Sequence, residues 1–359
     1  MHIGLVVYGG LDRQSGGYLY DRILTEHLRA AGHTVTVVPQ PERRFYAPRV
    51  LDNFDRAFWQ RLASASFDVL LQDELNHPSL AWGNRWLRTQ VDYPIVSIVH
   101  HLRSSERHPP ALRAFYRWME RQYLATVDGF VFNSPPTRRS VQQLVPSRPH
   151  VVARPSGRRL GEPPSEAFLD ARSHADGPLQ IVFVGNVIPR KQLDVLLDAV
   201  ARIDPRRWHL DIVGAPTDAE YTHCVRQQIA ALPDPTCVTW HGRLPNDLLR
   251  DVLRHGHVLA VPSTHEGFGI VYVEAMGQGL PVLATPNGGP VDLVRDGRTG
   301  FLVRPPLVQE IAARLRQLHA DRTRLASMAQ AARAQYLSSP TWADTTAAIR
   351  TFLERIAHT

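Results

Sequence analysis

Two glutamates eight positions apart, Glu266 and Glu274, bracket a Gly267-Phe268-Gly269 bend that continues into Gly-Leu-Pro and an apolar run. At helical rise the pair would stand roughly 12 Å apart. That is too far for one acid/base dyad and suits the two ends of one elongated ligand. The bend follows the strand-like HVLAVP and opens a helix expected to run to about Met276, so its bare amides could hold a diphosphate at the positive end of the helix dipole. Glu274, a turn into that helix, could take both hydroxyls of a ribose. The plainer reading of either glutamate is a helix-dipole partner.

The chain has 41 basic residues and one lysine, Lys191, so 41 − 1 = 40 are arginine. Composition alone would have placed arginine there too. A compact ammonium serves as a point charge on phosphate where a planar guanidinium does not fit. Lys191 follows Arg190 in FVGNVIPRKQLDVLLDAV, just past a strand and at the opening of a helix. The segment is no P-loop, because the first glycine of that motif is missing and Gln192 stands where its hydroxyl residue should be. ATP hydrolysis is disfavoured. A third anion-binding turn is Gly16-Gly17, at the entry of the first helix, and a fourth holds Gly288 and Gly289 with Asp292 beyond. The dinucleotide fingerprint G-x-G-x-x-G is absent, which counts against a dehydrogenase.

These residues need a scaffold that collects strand ends. Short β-branched runs alternate with helical patterns throughout: HIGLVV, TVTVV, DVLLQ, PIVSIV and GFVFN, then LQIVFV, WHLDIV, CVTWHG, HVLAVP and LPVLAT. This rhythm predicts parallel sheets covered by helices on both faces. At 359 residues the chain is long enough for two such halves. The Pro- and Gly-rich stretch ARPSGRRLGEPPSEAFLDARSHADGP separates them without periodicity longer than one turn. The expected fold class is therefore α/β, with Rossmann-like domains over 1–170 and 178–338. Doubly wound sheets bind ligands beyond the carboxyl ends of their strands, so chemistry is expected in a cleft between the halves. A final amphipathic segment, 341–359, begins at a Thr341 cap and either closes the second domain or crosses back to the first.

The run from Glu266 to Val282 resembles the E-x7-E signature of retaining GT-B glycosyltransferases of family GT4. The likeness extends through Arg190-Lys191, His241-Gly242, Pro262-Ser263 and Gly288-Gly289, covering almost all of 180–305. In the first half it is looser, resting on Gly16-Gly17, AAGHTVTVV and His100. The resemblance implies a GT-B fold, a sugar donor held mainly by the C-terminal domain, an acceptor held by the N-terminal one, and a last helix returning to the N-terminal domain. It implies that Glu274 holds the ribose, Glu266 the hydroxyls of the donor sugar, and Arg190 with Lys191 the diphosphate. His100 resembles the family's active-site histidine, with His101 as its rival. Asn186 departs from the family's usual arginine, and Asp292 shortens what is often glutamate.

The expected activity is thus a hexosyl-type transfer (EC 2.4) from a nucleotide-diphosphate sugar to an acceptor hydroxyl, with retention. Expelling the diphosphate builds negative charge on the leaving group, which Arg190, Lys191 and the amides at Gly16-Gly17 and Gly267-Phe268-Gly269 would stabilise. No metal and no cofactor is expected, since no D-x-D pair occurs. Asp73 and Glu74, with His101, are assigned to acceptor contact; the alternative is that the two acids cap the next element. Other readings keep the fold and change the role: a GT-B epimerase or phosphorylase, or a nucleotide-sugar-binding partner subunit without turnover.

The net charge of +7 is uneven, because residues 101–160 carry eleven arginines against Glu106, Glu120 and Asp128. Such a field attracts phosphates, anionic headgroups or nucleic acid. Nucleic-acid binding is disfavoured for want of interleaved exposed aromatics or a known module. Arg113, Arg117 and Arg121, beside Trp118 and Tyr123, line one helical face and predict attachment to an anionic membrane surface; the alternative is a solvated face. The N-terminus reads as a first strand and not a secretion signal, and no run is long enough to span a bilayer, so a cytoplasmic location is expected. Cys224 and Cys237 lack metal-ligand spacing and are expected to be reduced.

Overall fold

The computed structural model describes every residue except Gln14, Arg44, Phe45 and Thr359. The chain divides into two compact units, one formed by 1–155 with 340–359 and the other by 156–339. The first unit holds β1 (His2–Tyr8), β2 (Thr34–Gln40), β3 (Val69–Asp73), β4 (Ile95–Val99), β5 (Gly129–Phe132) and β6 (His150–Val152). They form one parallel sheet in the order β2-β1-β3-β4-β5-β6. The second unit holds β7 (Leu179–Val184), β8 (Trp208–Val213), β9 (Val238–Gly242), β10 (Val258–Ala260), β11 (Val282–Ala284) and β12 (Gly300–Leu302). Its sheet is also parallel, in the order β12-β11-β10-β7-β8-β9.

The central strands are apolar on both faces, as a sheet covered twice by helices requires. Residues 69–71 and 95–96 of β3 and β4, and 258–260 and 282–284 of β10 and β11, are all buried at 1% exposure or less. The strands absent from the sequence reading, β6 and β12, are three residues long and sit at sheet edges, where a short run gives no period to recognise.

The division between the units falls after Pro155, earlier than the expected boundary at 170. Residues 156–170 are anchored to the second unit by contacts that composition does not display. Gly157 lies so close to the backbone of Val273 and Glu274 that a Cβ would meet Glu274 N at 2.7 Å. A nine-residue helix, Glu166–His174, also forms inside the stretch read as irregular. It buries only Leu169 and Ser173, too few to make a visible stripe. Its hold comes from Arg172, which donates to the carbonyls of Arg254 at 2.9 Å, Gln278 at 3.0 Å and Gly279 at 2.7 Å.

The last helix, Trp342–Ala357, opens on a capping box between Thr341 and Asp344 and belongs to the first unit. Phe352 and Ile356 press on Gly129 of β5, where a Cβ would meet Ile356 Cδ1 at 2.7 Å. Thr345 donates to the Arg154 carbonyl at 2.6 Å, and Trp342 meets the ring of Tyr20 edge-on at 5.8 Å. Thr359, the end of the expected segment, lies outside the described residues. No helix among the described residues is long and apolar enough to cross a membrane.

Candidate active site

In the second unit the functional groups lie beyond three adjacent strands, β11, β10 and β7, at their carboxyl ends. After β7 the chain passes through Gly185, whose φ of +154° and closeness to Lys191 Cε (3.1 Å from an added Cβ) exclude a side chain. A single 3₁₀ turn, Pro189–Lys191, then presents both cations, and Gln192 takes a left-handed φ of 52° to start the helix Leu193–Val200. Lys191 Nζ donates to Glu266 Oε1 at 2.6 Å. Arg190 reaches the same oxygen at 3.3 Å and the His265 carbonyl at 2.7 Å.

Glu266 is 8% exposed. Burial would push its carboxyl up, but Lys191 and Arg190 outweigh it and hold the group at about 2. Burial also lowers Lys191, with Glu266 opposing. The two directions differ, since a lowered Glu266 favours its charge and a lowered Lys191 disfavours its own; the 2.6 Å contact, with Arg190 on the same oxygen, supports the ion pair. The resemblance implied Glu266 on the sugar and the cations on the diphosphate; the structure joins all three into one constellation.

The Gly267-Phe268-Gly269 bend leads into the helix Ile270–Gly277, with Gly269 left-handed at φ +92°. Gly288 and Gly289, expected in an anion turn, are required here by the backbone. Gly288 bridges Glu266 as an isolated parallel pair, and Glu266 N donates to the Asn287 carbonyl at 3.1 Å. A Cβ on Gly288 would meet Glu266 O at 2.0 Å, and one on Gly289 would meet Phe268 O at 2.2 Å. These glycines let two backbones touch and so fix the bend that carries Glu266.

Glu274 is 3% exposed and grips Arg159, whose Nε donates to one carboxylate oxygen and whose Nη2 donates to the other at 3.2 Å. Burial raises the Glu274 carboxyl, and Arg159 offsets it. Arg159 also donates to Asn246 Oδ1. Sequence reasoning missed Arg159. Its only signal was a basic Arg158-Arg159 pair in the stretch taken for a linker.

In the first unit the groups again follow adjacent strands, here β1, β3 and β4. His100, one residue past β4, points its Nε2 at Asp21 Oδ1, 3.1 Å away. Its carbonyl accepts from Asn133 Nδ2 at 2.6 Å. Gly17 lies under the imidazole, and a Cβ there would meet His100 Cδ2 at 2.9 Å. Gly17 is therefore required by the histidine ring, apart from any anion. Tyr20 packs edge-on against His100 at 5.3 Å, while its hydroxyl donates to the Ala153 carbonyl at 2.9 Å. Burial opposes a charge on His100, but Asp21, Asp73 and Glu74 prevail and raise it to about 9. Asp21, which no motif marked, is fully buried on the first helix.

His100 and not His101 joins this cluster, since His101 Nε2 bonds to Glu106 at 2.9 Å. Asp73 caps a 3₁₀ turn through Oδ1, which accepts from Leu75 N at 3.0 Å. It also lies with Asp21 and His100 in a group whose ligand atoms are within 4.8 Å of one another. Both halves of the alternative for Asp73, cap and site residue, are compatible with this placement. Glu74 is placed otherwise than acceptor contact would require. It is 3% exposed and turns inward to His77 Nδ1 at 3.1 Å, in a second cluster with Glu120. Two of its three members, His77 and Glu120, hold hydrogen bonds of their own, while Glu74 Oε1 has no hydrogen-bond partner among the described residues. Tyr46 Oη pairs with His77 Nε2 at 2.8 Å, and Glu120 accepts from Ser104 N at 2.9 Å and from its hydroxyl.

The buried acids give the first unit a pH signature. Burial, with Glu74 adding to it, raises the Glu120 carboxyl from an ordinary 4.5 to about 7. A carboxyl raised on folding binds its proton more tightly in the folded state, so stability falls as pH rises between those values and the full cost is present above them. Glu120→Gln removes that titration. Relative to wild type, the variant should be no more stable at pH 4 but more stable at pH 8, by up to about 3 kcal/mol. Parallel melting-temperature profiles from pH 4 to 8 would refute this.

The two halves of the chain match two family models: residues 165–335 match the glycosyl transferases group 1 model, and residues 22–157 match the glycosyltransferase family 4 model. The chain belongs to the family 4 glycosyltransferases. This glycosyltransferase is 29% identical over 325 residues to the D-inositol 3-phosphate glycosyltransferase of Rhodococcus erythropolis, covering 82% of the chain and 73% of that protein. It is 30% identical over 293 residues to the enzyme of the same name from Rhodococcus jostii, covering 72% and 64%. Against the Nocardia farcinica protein of that name it spans about half, 49%. Its fold is that of sucrose-phosphate synthase from Thermosynechococcus elongatus, with a TM-score of 0.82 at 22% identity over 99% of this chain and 98% of that one. HepE of Anabaena in complex with UDP-glucose matches at a TM-score of 0.76 and 18% identity over the full length of both chains. The architecture is GT-B, two Rossmann-like domains.

Proposed function

We propose that this glycosyltransferase moves a hexosyl unit from a nucleotide-diphosphate sugar to an acceptor hydroxyl, with retention and without a resident metal or cofactor. The observation that carries the reading is the constellation of Lys191, Arg190 and Glu266. It places the chain's single lysine, with an arginine, on a carboxylate at strand ends. The naming of relatives as glycosyltransferases and the UDP-glucose held by a structural neighbour support it.

In this reading the departing diphosphate takes its charge stabilisation from Lys191, Arg190 and the amides of the Gly267-Phe268-Gly269 bend. Arg190 and Lys191 need not be carried in as free charges, because Glu266 stores them in a desolvated pair. Glu266 in turn accepts from the hydroxyls of the donor sugar, and Glu274 accepts from the ribose, sharing its carboxylate with Arg159 or releasing it. His100, held at Nε2 by Asp21, offers Nδ1–H to a sugar oxygen. Attack occurs on the face the leaving group departs from, and the acceptor hydroxyl yields its proton to the departing phosphate, so no protein base is required. Asp73, beside His100, is assigned to the acceptor.

A thermal-shift series with UDP-, GDP-, ADP- and TDP-sugars tests the donor, since a ligand of the folded state raises its melting temperature by mass action. One base should stand out, and the isolated chain should then release that nucleoside diphosphate on adding a polyol acceptor, equally with and without EDTA. No shift from any donor would overturn the reading. A shift without turnover would favour the partner-subunit role, and loss of turnover in EDTA would remove metal independence.

A further inference from the structure

The helix Pro110–Leu124 buries Tyr116, Met119, Tyr123 and Leu124 and leaves Leu112, Phe115 and Trp118 at 39%, 42% and 48% exposure. Of the two aromatics expected beside its arginines, Trp118 is at the surface, whereas Tyr123 is in the core with its hydroxyl on Ser97. Single exposed apolar side chains are ordinary, but a joined set marks an interaction surface. Here they are joined. The rings of Phe115 and Trp118 lie 6.2 Å apart, Trp118 meets Trp82 at 6.3 Å, and Phe115 meets Tyr46 at 5.7 Å. Asn53 Oδ1 accepts from the backbone N–H groups of Trp82 and Gly83, at 2.8 and 3.2 Å, and its neighbour in the chain, Phe54, is 71% exposed. Arg85, next to the exposed Trp86, donates to Gln122 of the helix at 2.5 Å.

The exposed charge on this helix has one sign. Arg113, Arg117 and Arg121 are exposed and recur every fourth residue, and Arg121 stands one turn beyond Trp118 on the same side. Arg56 and Arg85 are also exposed. The helix's one acid, Glu120, is buried on Ser104, while Asp55, exposed beside Phe54, caps the helix Arg56–Ala63. Aromatic rings flanked by guanidinium groups, with no exposed acid on the helix, complement a surface that is apolar below and anionic above. Trp and Tyr-like rings settle at headgroup depth, and arginines bind lipid phosphates.

We infer that this face docks onto an anionic lipid bilayer, with Phe54, Phe115 and Trp118 at headgroup depth and Arg113, Arg117 and Arg121 on lipid phosphates. None of these residues is among the proposed donor groups or the His100 cluster, so the inference adds a location to the proposed reaction and does not depend on it. The acceptor would then be met at a membrane surface.

Flotation with phosphatidylcholine vesicles, with and without about 30 mol% phosphatidylglycerol, tests it. The wild-type chain should float with the anionic vesicles only and detach at about 0.5 M salt, where exposed charges are screened. Phe115→Ser/Trp118→Ser and, separately, Arg113→Gln/Arg117→Gln/Arg121→Gln should each lower the bound fraction at least about fivefold. Both variants should keep the wild-type melting temperature and donor-induced shift, which separates this inference from the proposed function. Equal binding to neutral vesicles, no binding to either, or equal binding by wild type and variants would overturn it. A concentration-dependent dimer abolished by Phe115→Ser/Trp118→Ser, with no vesicle binding, would assign the face to self-association instead.

Discussion

Lys191→Ala should lower the rate of glycosyl transfer by about a thousandfold, since removing one group aimed at developing charge costs roughly two to three orders of magnitude and this one also neutralises a carboxylate. Two effects are superimposed in that number. The diphosphate loses a cation, and Glu266, 8% exposed, is left facing Arg190 alone at 3.3 Å. Breaking a buried pair by removing one partner is costly to stability, roughly 3 kcal/mol or more. Lys191→Met/Glu266→Gln separates the two effects. It removes the stranded charge, so the melting temperature should recover most of what Lys191→Ala loses, while transfer stays at the level of the single variant or below. Lys191→Arg should restore charge but not full rate, because a planar guanidinium spreads the charge that the compact ammonium concentrates on Glu266 Oε1 at 2.6 Å. Wild-type transfer by Lys191→Ala would remove the diphosphate role, and wild-type transfer by Lys191→Arg would remove the requirement for a compact ammonium.

The second large effect concerns the histidine. Asp21→Asn keeps the size of the group and an oxygen that can accept from His100 Nε2, while deleting the charge. His100 stands at about 9 because Asp21, followed by Asp73 and Glu74, outweighs the burial that opposes its protonation. Without Asp21 it should fall toward an ordinary histidine value of about 6.5. The alkaline limb of kcat, expected near 9 in the wild type, should move down, and at pH 8 the variant should be slower by about tenfold or more while approaching wild type at pH 6. The stability consequence has a definite sign. A histidine raised on folding stabilises fully below its unfolded value and loses that contribution as pH rises through the folded one. The gap in melting temperature between wild type and Asp21→Asn should therefore be widest below about pH 6.5 and close above pH 9. An unmoved alkaline limb would sink the role assigned to Asp21, whatever the variant does to KM.

Much of the molecule is legible without coordinates. The alternation of β-branched runs with helical segments announced the two doubly wound sheets, because strands covered on both faces must be apolar throughout. Chemistry bound to backbone punctuation was legible too. Glu266, the Gly267-Phe268-Gly269 bend and Glu274 lie within nine residues, and Arg190-Lys191 within two, so their spacing in the chain is nearly their spacing in space. The capping box at Thr341 and Asp344 is local in the same way.

Tertiary structure decided everything carried by pairs distant in the chain. Asp21 and His100 are 79 residues apart, Lys191 and Glu266 are 75, and Arg159 and Glu274 are 115. No local pattern records such a meeting. Asp21 looks like any polar residue of an amphipathic helix, and Arg159 like part of a linker, until the fold removes water from around them. The same limit explains Glu74, which by position ends a strand near the site and by packing turns into the interior toward His77 and Glu120. It explains Gly17 and Gly288 as well. Their types are visible in the sequence, but whether a glycine yields to an anion, an imidazole or another backbone depends on what the fold brings against it. Sequence by itself determined which groups could do chemistry and on what kind of scaffold; only the three-dimensional arrangement set their partners, and with them their charge, because desolvation and Coulomb attraction depend on distance through space and not along the chain.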